Sequence, residues 1–226
     1  FEQSYAATGR FSSKSPNLQN IPPVIRKGFI PSESSRQFIS MDYSQIELRI
    51  LAYLSKDKNL LEAFNHDRDI HNETAMRIFD IEENEVDKEK RNTAKIINFS
   101  VIYGKTPYGL SQELNISRKE ASRFIDKYFN DFPGVKNWIE DIKKSAEENG
   151  YVETYFGRRR TLKRINSSNR TVKKHEERIA VNTPIQGTAA DIIKIAMKRI
   201  DDFINDSEEN MDMILTIHDE LLFETD

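Results

Sequence analysis

The sequence contains no cysteine, which excludes disulfides and thiolate metal sites from this chain of 226 residues. It also lacks any apolar run approaching the ~18 residues of a membrane-spanning helix. There is no secretory signal. These absences favour an intracellular protein with no membrane partner. Because only 4 histidines occur, a metal site in this chain would have to draw mainly on oxygen ligands.

Charge of either sign is not in large excess, since the net charge is −3, with 37% hydrophobic and 31% charged residues. This composition predicts a soluble globular protein and argues against simple electrostatic coating of nucleic acid. One segment departs from the average. Nine cations between residues 158 and 178 face only Glu176 and Glu177. We expect this basic segment to contact the phosphates of a nucleic acid. The alternative is an ordinary solvated surface.

The region DKEKRNTAKIINFSVIYG has a distinctive spacing. Two cations and then two aromatic residues recur at every fourth position: Arg91, Lys95, Phe99 and Tyr103. On a helix this spacing makes one slowly winding stripe, with Asp87 as its N-cap and Gly104 at its C-terminal end. A polyphosphate along the stripe would relieve the repulsion between the cations, and an aromatic ring could cover a base. The alternative is a solvated cationic edge beside a core phenylalanine.

Two acids lie at the ends of apolar segments. Asp42 ends a predicted strand, and Asp219 lies at the tip of a predicted hairpin that turns at His218-Asp219-Glu220. If these strands share a sheet, the carboxylates can meet, and ~4 Å apart they would repel by about 4 kcal/mol. Such a pair must share a proton or bind a hard cation such as Mg²⁺. The alternative is that Asp42 caps a helix and Asp219 only makes a turn.

The remaining patterns predict a mainly helical middle between two strand-forming ends. Helical spacing covers Gln45 to Phe64, a short segment around His71, Ser117 to about Tyr128, and Pro133 to Asn149. Two short strands flank Gly157. Thr183-Pro184 is predicted to start the last long helix, with Thr183 and Gln186 as a capping box.

Taken together and in order, several segments resemble the family A DNA polymerases of the bacterial DNA polymerase I type. They are TGRFSSKSPNLQNIP at 8–22, DYSQIELR at 42–49, RNTAKIINFSVIYG at 91–104, RIAVNTPIQGTAAD at 178–191 and HDE at 218–220. The resemblance implies an α+β fold, with an antiparallel palm sheet that carries the catalytic acids and an inserted, mainly helical fingers subdomain. It implies palm at 1–55 and 181–226 and fingers at 56–180. We expect a thumb and any proofreading domain before Phe1, which is not a start methionine, and the rest of the palm after Asp226.

The resemblance also implies a reaction. A primer 3′-OH would attack the α-phosphate of a deoxynucleoside triphosphate and expel pyrophosphate, with two Mg²⁺ ions as cofactors. Asp42, Asp219 and the Tyr43 carbonyl would bind the metals, while Glu220 would lie near them. Lys95 would donate a proton to the leaving pyrophosphate.

Further roles follow from the same resemblance. The nucleotide site would comprise Arg91, Lys95, His71, Phe99, Tyr103, Glu47 and Gln45. Of these, Glu47 would be the steric gate against a ribose 2′-OH, and Phe99 implies poor use of dideoxynucleotides. The primer–template DNA would be contacted by Arg10, Asn17, Gln19, Arg178, Asn182, Gln186 and His218, several of them in the minor groove, where acceptors lie at similar places for every base pair. We expect a monomer that is cytoplasmic and nucleoid-associated in a bacterium.

Three alternative functions are also considered from the residues. A phage-type RNA polymerase is disfavoured by Glu47 and the QIELR context. A two-metal nuclease would have no evident use for the stripe and usually needs more acids. A catalytically silent nucleic-acid-binding module would tolerate loss of Asp42 or Asp219, whereas both are present.

Overall fold

A computed structural model describes residues 1–3 and 5–226. A short 3₁₀ helix, Leu18–Asn20, precedes the first α-helix, and a second, Glu83–Glu85, lies between α4 and α5. The regular elements are, in chain order, α1 (Pro23–Arg26), β1 (Gln37–Asp42), α2 (Ile46–Ser55), α3 (Lys58–Asn65), α4 (Ile70–Phe79), α5 (Lys88–Ile102), α6 (Pro107–Leu114), α7 (Arg118–Asp131), α8 (Pro133–Asn149), β2 (Tyr151–Glu153), β3 (Arg159–Thr161), α9 (Arg170–Asp206), β4 (Met211–Ile217) and β5 (Glu220–Thr225). No helix in this described part has the length and apolar character needed to cross a membrane.

The chain divides into two compact units. The first, the sheet unit, comprises Phe1–Ile46 and Gln186–Asp226, and the second, the helical unit, comprises Glu47–Ile185. The predicted α+β class with an antiparallel sheet is confirmed.

The sheet unit is built around a three-stranded antiparallel sheet in the order β1-β5-β4. Strand β5 is central and largely buried, with Leu221 and Phe223 only 2% and 0% exposed. Ile193 of α9 is also buried in this unit. At the far end of the sheet Arg36 pairs with Asp212 at 2.8 Å. The nonlocal pairing of β1 with β5 brings residues near 42 beside residues near 220.

The helical unit begins most of its helices with side-chain caps. The N-terminal backbone N–H groups of α3, α4, α5, α6 and α7 are accepted by Asp57, Asp69, Asp87, Thr106 and Ser117. Helix α8 starts with Pro133 and stops at Gly150, which has a φ of 74°, as predicted. The predicted strands around Gly157 are β2 and β3, an antiparallel pair. Apolar residues of this hairpin region, including Val152 and Leu162, pack with Ala146 and Ala180.

The segment predicted as helical from Gln45 to Phe64 is two helices. Lys56 adopts a left-handed φ of 50° and ends α2. Asp57 then accepts hydrogen bonds from the N–H groups of Asn59 and Leu60 and starts α3. Its second carboxylate oxygen accepts from the Gly134 N–H at 2.8 Å. The apolar periodicity continues through the break, so spacing alone did not reveal it.

The prediction that the last helix starts at Thr183-Pro184 was wrong. Helix α9 begins at Arg170, where Asn169 accepts from the N–H groups of Thr171 and Val172, and it contains Pro184 in its interior. A proline there removes one backbone hydrogen bond, a cost that buried packing must offset. Thr183 and Ile185 beside it are each 0% exposed. Thr183 is therefore not an N-cap, and the predicted capping box with Gln186 does not form.

Helix α6 was not predicted. Its signal was Thr106-Pro107, an N-cap followed by proline at the first helical position.

Candidate active site

The two acids singled out by the sequence lie at the same end of the sheet. Asp42 is the last residue of β1 and pairs in register with Glu220, the first residue of β5. The Tyr43 N–H donates to the Asp219 carbonyl at 3.1 Å. His218, with a φ of 55°, makes the tight turn between β4 and β5 that holds Asp219 at this end. Asp42 and Asp219 therefore lie at the same end of the sheet, near enough for the charge of Asp42 to act on the Asp219 carboxyl.

The electrostatics of Asp219 reflect this crowding. Burial raises the pKa of the Asp219 carboxyl; the nearby Arg10 guanidinium lowers it, and the negative charge of Asp42 raises it again. The Arg10 Nη2 atom lies 3.6 Å from a carboxylate oxygen of Asp219. A half-buried carboxylate next to a second carboxylate is the kind of site that a cation stabilises.

Glu220 is held by other partners. Its carboxylate accepts from the Ser40 hydroxyl at 2.6 Å and lies 3.5 Å from an Arg26 guanidinium nitrogen. Among residues 1–3 and 5–226 there is no group of three or more His, Cys, Asp and Glu side chains placed to hold a metal. The arrangement is thus a pair, Asp42 with Asp219, beside a third acid that is engaged elsewhere.

A cavity of about 220 Å³ adjoins Asp219 in the sheet unit. Three residues predicted to contact DNA line it: Arg10, Gln19 and His218. A fourth, Asn17, is an N-cap whose side-chain oxygen accepts from the Gln19 N–H at 3.1 Å. The sequence placed these residues far apart, and the sheet unit brings three of them to one cavity.

In the helical unit, α5 has the predicted form. Asp87 caps it, and Gly104 follows it with a φ of 58°. One face of α5 is buried by Ala94, Ile97, Asn98, Val101 and Ile102. The stripe lies off that face: the Phe99 and Tyr103 rings stack with centroids 6.3 Å apart and an interplanar angle of 18°. Lys95 is exposed, and within the described residues no hydrogen bond or ion pair engages its ammonium group.

The first cation of the stripe is oriented by an acid from α4. Arg91 donates from Nε and Nη2 to one carboxylate oxygen of Asp69, at 3.0 and 2.7 Å. The other oxygen of Asp69 caps α4 through the N–H groups of His71 and Asn72. Burial raises the pKa of Asp69, but the hydrogen bonds from Arg91 and the cap outweigh it and leave the pKa lowered. The guanidinium keeps N–H groups beyond those two for an anion.

His71 is buried, at 3% exposure. Its Nδ1 lies 3.1 Å from the Asn98 amide nitrogen, and its ring centroid is 6.1 Å from that of Phe99. Burial lowers the pKa of His71 to about 4, and the positive charges of Arg91 and Lys95 lower it while Asp69 raises it. His71 is therefore a neutral imidazole at pH 7.

Glu47 differs from an ordinary exposed helix residue, because it is only 5% exposed at the start of α2. Its carboxylate accepts from the Tyr103 hydroxyl at 3.1 Å. The residue predicted as a steric gate and the last residue of the stripe are thus joined directly. Gln45, two residues earlier, is half-buried and has a left-handed φ of 56°.

Predicted DNA contacts on α9 have partly internal roles. Arg178 packs over Gly104, since a methyl group there would lie 3.0 Å from Arg178 Cγ. The Asn182 amide, oriented to suit its acceptors, donates to the carbonyls of Arg178 and Ile102. Gln186 is half-buried.

The basic segment is partly neutralised within the helical unit. Its local ion pairs are Arg159 with Glu153, Arg164 with Glu176 and Lys173 with Glu147. Arg178 and Lys174 remain exposed.

Sequence reasoning missed Asp69, Thr74 and Asn98, which hold Arg91 and His71 in place. The cap position of Asp69 was a usable signal. Asn98 was a second, because its spacing from Ala94 and Val101 places it on the apolar face of the helix, where an asparagine needs hydrogen-bond partners.

Comparison with known proteins identifies relatives in one family. The family model described as DNA polymerase family A matches residues 1–226. The chain is 50% identical over 230 residues to DNA polymerase I of Bacillus caldotenax and 48% identical over 230 residues to that of Bacillus subtilis. Each alignment covers 99% of this chain and 26% of the relative, so the chain spans about a quarter of the length of these curated relatives.

A solved structure is also similar. The POL domain of Pol1 from M. smegmatis, in complex with DNA primer-template and dNTP, matches with a TM-score of 0.95 and 45% identity. The match covers 100% of this chain and 41% of that one.

Proposed function

The chain belongs to DNA polymerase family A, and from this premise we propose that it carries the polymerase site of a template-directed DNA polymerase. The proposed reaction transfers a nucleotide from a deoxynucleoside triphosphate to a primer 3′-OH and releases pyrophosphate. The observation that carries this proposal is the meeting of Asp42 and Asp219 at one end of the sheet. The two acids are brought together by the pairing of β1 with β5, two strands that lie near opposite ends of the sequence.

We propose that the sheet unit lies within the palm and that the helical unit contains the fingers. The proposed palm comprises residues 1–55 and 181–226, and the proposed fingers comprise 56–180. The acids at the end of an antiparallel sheet support the first assignment. The stripe on α5, a helix of the helical unit, supports the second.

The acid pair fits divalent metal. Asp42 and Asp219 offer hard carboxylate oxygens, and the Tyr43 carbonyl follows Asp42 in the sequence. Burial and the charge of Asp42 raise the pKa of Asp219, and a bound cation would offset that effect. When bound there, two Mg²⁺ ions would lower the pKa of the primer hydroxyl and offset charge on the phosphates. Arg10, 3.6 Å from Asp219, would have to release its partner or share it. Glu220, whose carboxylate contacts Ser40 and Arg26, would lie near the metal ions.

The stripe supplies positive charge and hydrogen-bond donors for the triphosphate. Arg91, oriented by Asp69, would use its remaining N–H groups, and exposed Lys95 would bind a neighbouring phosphate. The bond from the primer O3′ to the α-phosphorus forms as the bond to the bridging oxygen breaks. The hydroxyl proton passes to solvent, and Lys95 protonates the leaving pyrophosphate.

The aromatic end of the stripe would select the nucleotide. Phe99 would pack against the sugar and base, and Tyr103 would lie on the template side. Glu47, buried and hydrogen-bonded to Tyr103, would fill the space of a 2′-OH. Gln45 completes the proposed nucleotide site.

Primer–template DNA is the proposed macromolecular partner of a monomeric enzyme. The relative from M. smegmatis was solved with DNA primer-template and dNTP, which supports these partners. The proposed contacts are Arg10, Asn17, Gln19 and His218 of the sheet unit, Gln186 on α9, and Arg178 and Asn182 of the helical unit.

Primer extension with Mg²⁺ tests the proposal in the intact protein. Wild type is compared with Asp219→Ala and with the control Glu209→Ala, an exposed acid between α9 and β4. We expect extension with deoxynucleotides in wild type and the control, and its loss in Asp219→Ala.

Other outcomes would favour the rivals. Extension with ribonucleotides alone indicates an RNA polymerase. Primer shortening that disappears in Asp219→Ala indicates a nuclease at this site, whereas shortening that persists belongs to another domain. Binding without any chemistry in wild type indicates a silent binding module, and any of these three results at the Asp219 site overturns the proposal.

A further inference from the structure

A buried polar chain in the helical unit links three side chains from two helices. Thr74 and His71 lie on α4, and Asn98 lies on α5. Thr74 and Asn98 are both 0% exposed. Buried polar groups are costly unless they are hydrogen-bonded, so these three side chains need hydrogen-bond partners within the protein.

Both ends of the Asn98 amide have a polar neighbour. The Thr74 hydroxyl donates to Asn98 Oδ1 at 3.1 Å, and Asn98 Nδ2 lies 3.1 Å from His71 Nδ1. The same hydroxyl also donates to the Ile70 carbonyl at 2.7 Å, so its one hydrogen is shared between two acceptors. With Asn98 donating, His71 Nδ1 accepts. The hydrogen of a neutral imidazole then resides on Nε2.

Burial and the charged groups that face His71 together decide its protonation state. They are Asp69 on the turn before α4, which favours the protonated ring, and Arg91 and Lys95 on α5, which disfavour it. Burial is the largest influence, and the pKa falls to about 4. At pH 7 the ring is therefore a neutral hydrogen-bond donor rather than a third cation beside the stripe.

We propose that Asn98, held by Thr74, is a positioning residue that fixes His71 as an Nε2–H donor toward the triphosphate of the incoming nucleotide. This inference rests on the proposed function, because it requires a triphosphate along the stripe. A neutral donor adds a hydrogen bond to phosphate without adding repulsion to Arg91 and Lys95. It also makes triphosphate binding insensitive to His71 titration between pH 5 and pH 8.

The reverse orientation of the Asn98 amide makes the opposite prediction. It would donate to Thr74 and accept from an Nδ1–H, and Nε2 would then be a bare acceptor that repels a phosphate oxygen. Direct observation of the His71 ring nitrogens separates the two arrangements. Nitrogen-15 NMR of histidine-labelled intact protein, with the His71 signal assigned by its loss in His71→Gln, makes that observation without any catalysis.

The key variant is Asn98→Asp, which keeps the shape of the side chain. A carboxylate can only accept a hydrogen bond. The substituted side chain should therefore favour the His71 tautomer with its hydrogen on Nδ1 and raise the His71 pKa toward 7. We expect about a tenfold weaker affinity for a deoxynucleoside triphosphate at pH 8, the size of one hydrogen bond. We also expect a new pH dependence of that affinity between pH 5 and pH 8, which a purely structural role would not produce.

A second pair of variants keeps the test decisive if Asn98→Asp folds poorly. The amide nitrogen of His71→Gln can reach the Nε2 position, whereas that of His71→Asn corresponds to Nδ1. We expect His71→Gln to retain more triphosphate affinity than His71→Asn.

An Nδ1–H tautomer in wild type, or equal affinities in the two His71 variants, would overturn the inference. Binding of the triphosphate is measured without chemistry, so these outcomes are distinguishable from failure of the proposed function. If wild type has the Nε2–H tautomer and binds triphosphate but extends no primer, only the polymerase proposal fails.

Discussion

The end of the sheet and the stripe on α5 concentrate charge of opposite sign, and the chain builds them in different ways. Asp42 and Asp219 lie far apart in sequence and meet only because β1 pairs with β5. Arg91 and Lys95 lie one helical turn apart, and formation of α5 alone brings them together. The first arrangement depends on tertiary pairing and the second on local periodicity.

The two regions respond to charge crowding in opposite directions. Burial and the neighbouring Asp42 raise the pKa of the Asp219 carboxyl. Burial and the neighbouring cations lower the pKa of His71. In each case the titrating group moves toward its neutral form, because burial disfavours the charged form and a neighbouring like charge adds to that effect.

The largest expected effect tests whether the acid pair acts as a unit. We expect Asp42→Asn and Asp219→Asn each to reduce single-turnover extension by about 10³-fold or more, because either change removes a metal ligand. The double variant should be no worse than about the more damaging single variant. Rapid-quench rates of all three measure this, with Glu209→Gln as the exposed control. Losses that multiply would show that the two carboxylates work independently.

A pH experiment tests the opposite shift in the helical unit. The His71 pKa falls from 6.5 to about 4 on folding, so the unfolded state binds more protons between these values. Stability should therefore be fully present above pH 6.5 and decline by up to about 3 kcal/mol as the pH falls to 4. Hydrogen exchange of α4 and α5 amides in the intact protein measures it.

The matched comparison is His71→Gln with His66→Gln, which removes an exposed histidine. We expect only His71→Gln to lose the acid-dependent decline. If stability declines equally in both variants as the pH falls, titrating groups other than His71 cause the decline.

A smaller effect is expected at the junction of α2 and α5. Glu47→Ala should reduce discrimination against ribonucleotides on the order of 10²-fold, since it opens the space that the buried carboxylate fills. Tyr103→Phe removes the hydrogen bond to Glu47 but leaves that volume filled, and should have a much weaker effect. Single-nucleotide extension with matched ribo- and deoxynucleotides measures both. Unchanged discrimination in Glu47→Ala would contradict a steric gate.

The smallest expected effect concerns the ring at position 99. Wild type should use dideoxynucleotides poorly, and Phe99→Tyr should improve their use by about tenfold, because the added hydroxyl replaces one lost hydrogen bond. Termination assays with both nucleotide types measure the ratio. Efficient dideoxy termination by wild type would contradict the role given to Phe99.

Much of the helical unit could be predicted because its signals are local. Caps such as Asp87 and Ser117 and stops such as Gly104 and Gly150 act within a turn of their helix, and each works where the sequence indicated. Helix α9 could not be delimited, because Pro184 is a local stop signal that buried packing overrides. The break at Lys56 and Asp57 was hidden for a related reason: Asp57 also binds Gly134, a residue distant in sequence.

The sequence by itself determined the order of the motifs, the period of the stripe and the acids at strand ends, because these depend on residue type and on spacing of a few residues. Only the tertiary structure decided that Asp69 orients Arg91, that Asn98 holds His71 and that Glu47 is buried against Tyr103. These contacts join side chains 22, 27 and 56 residues apart. Burial decides their strength, because water competes for a polar group until packing excludes it.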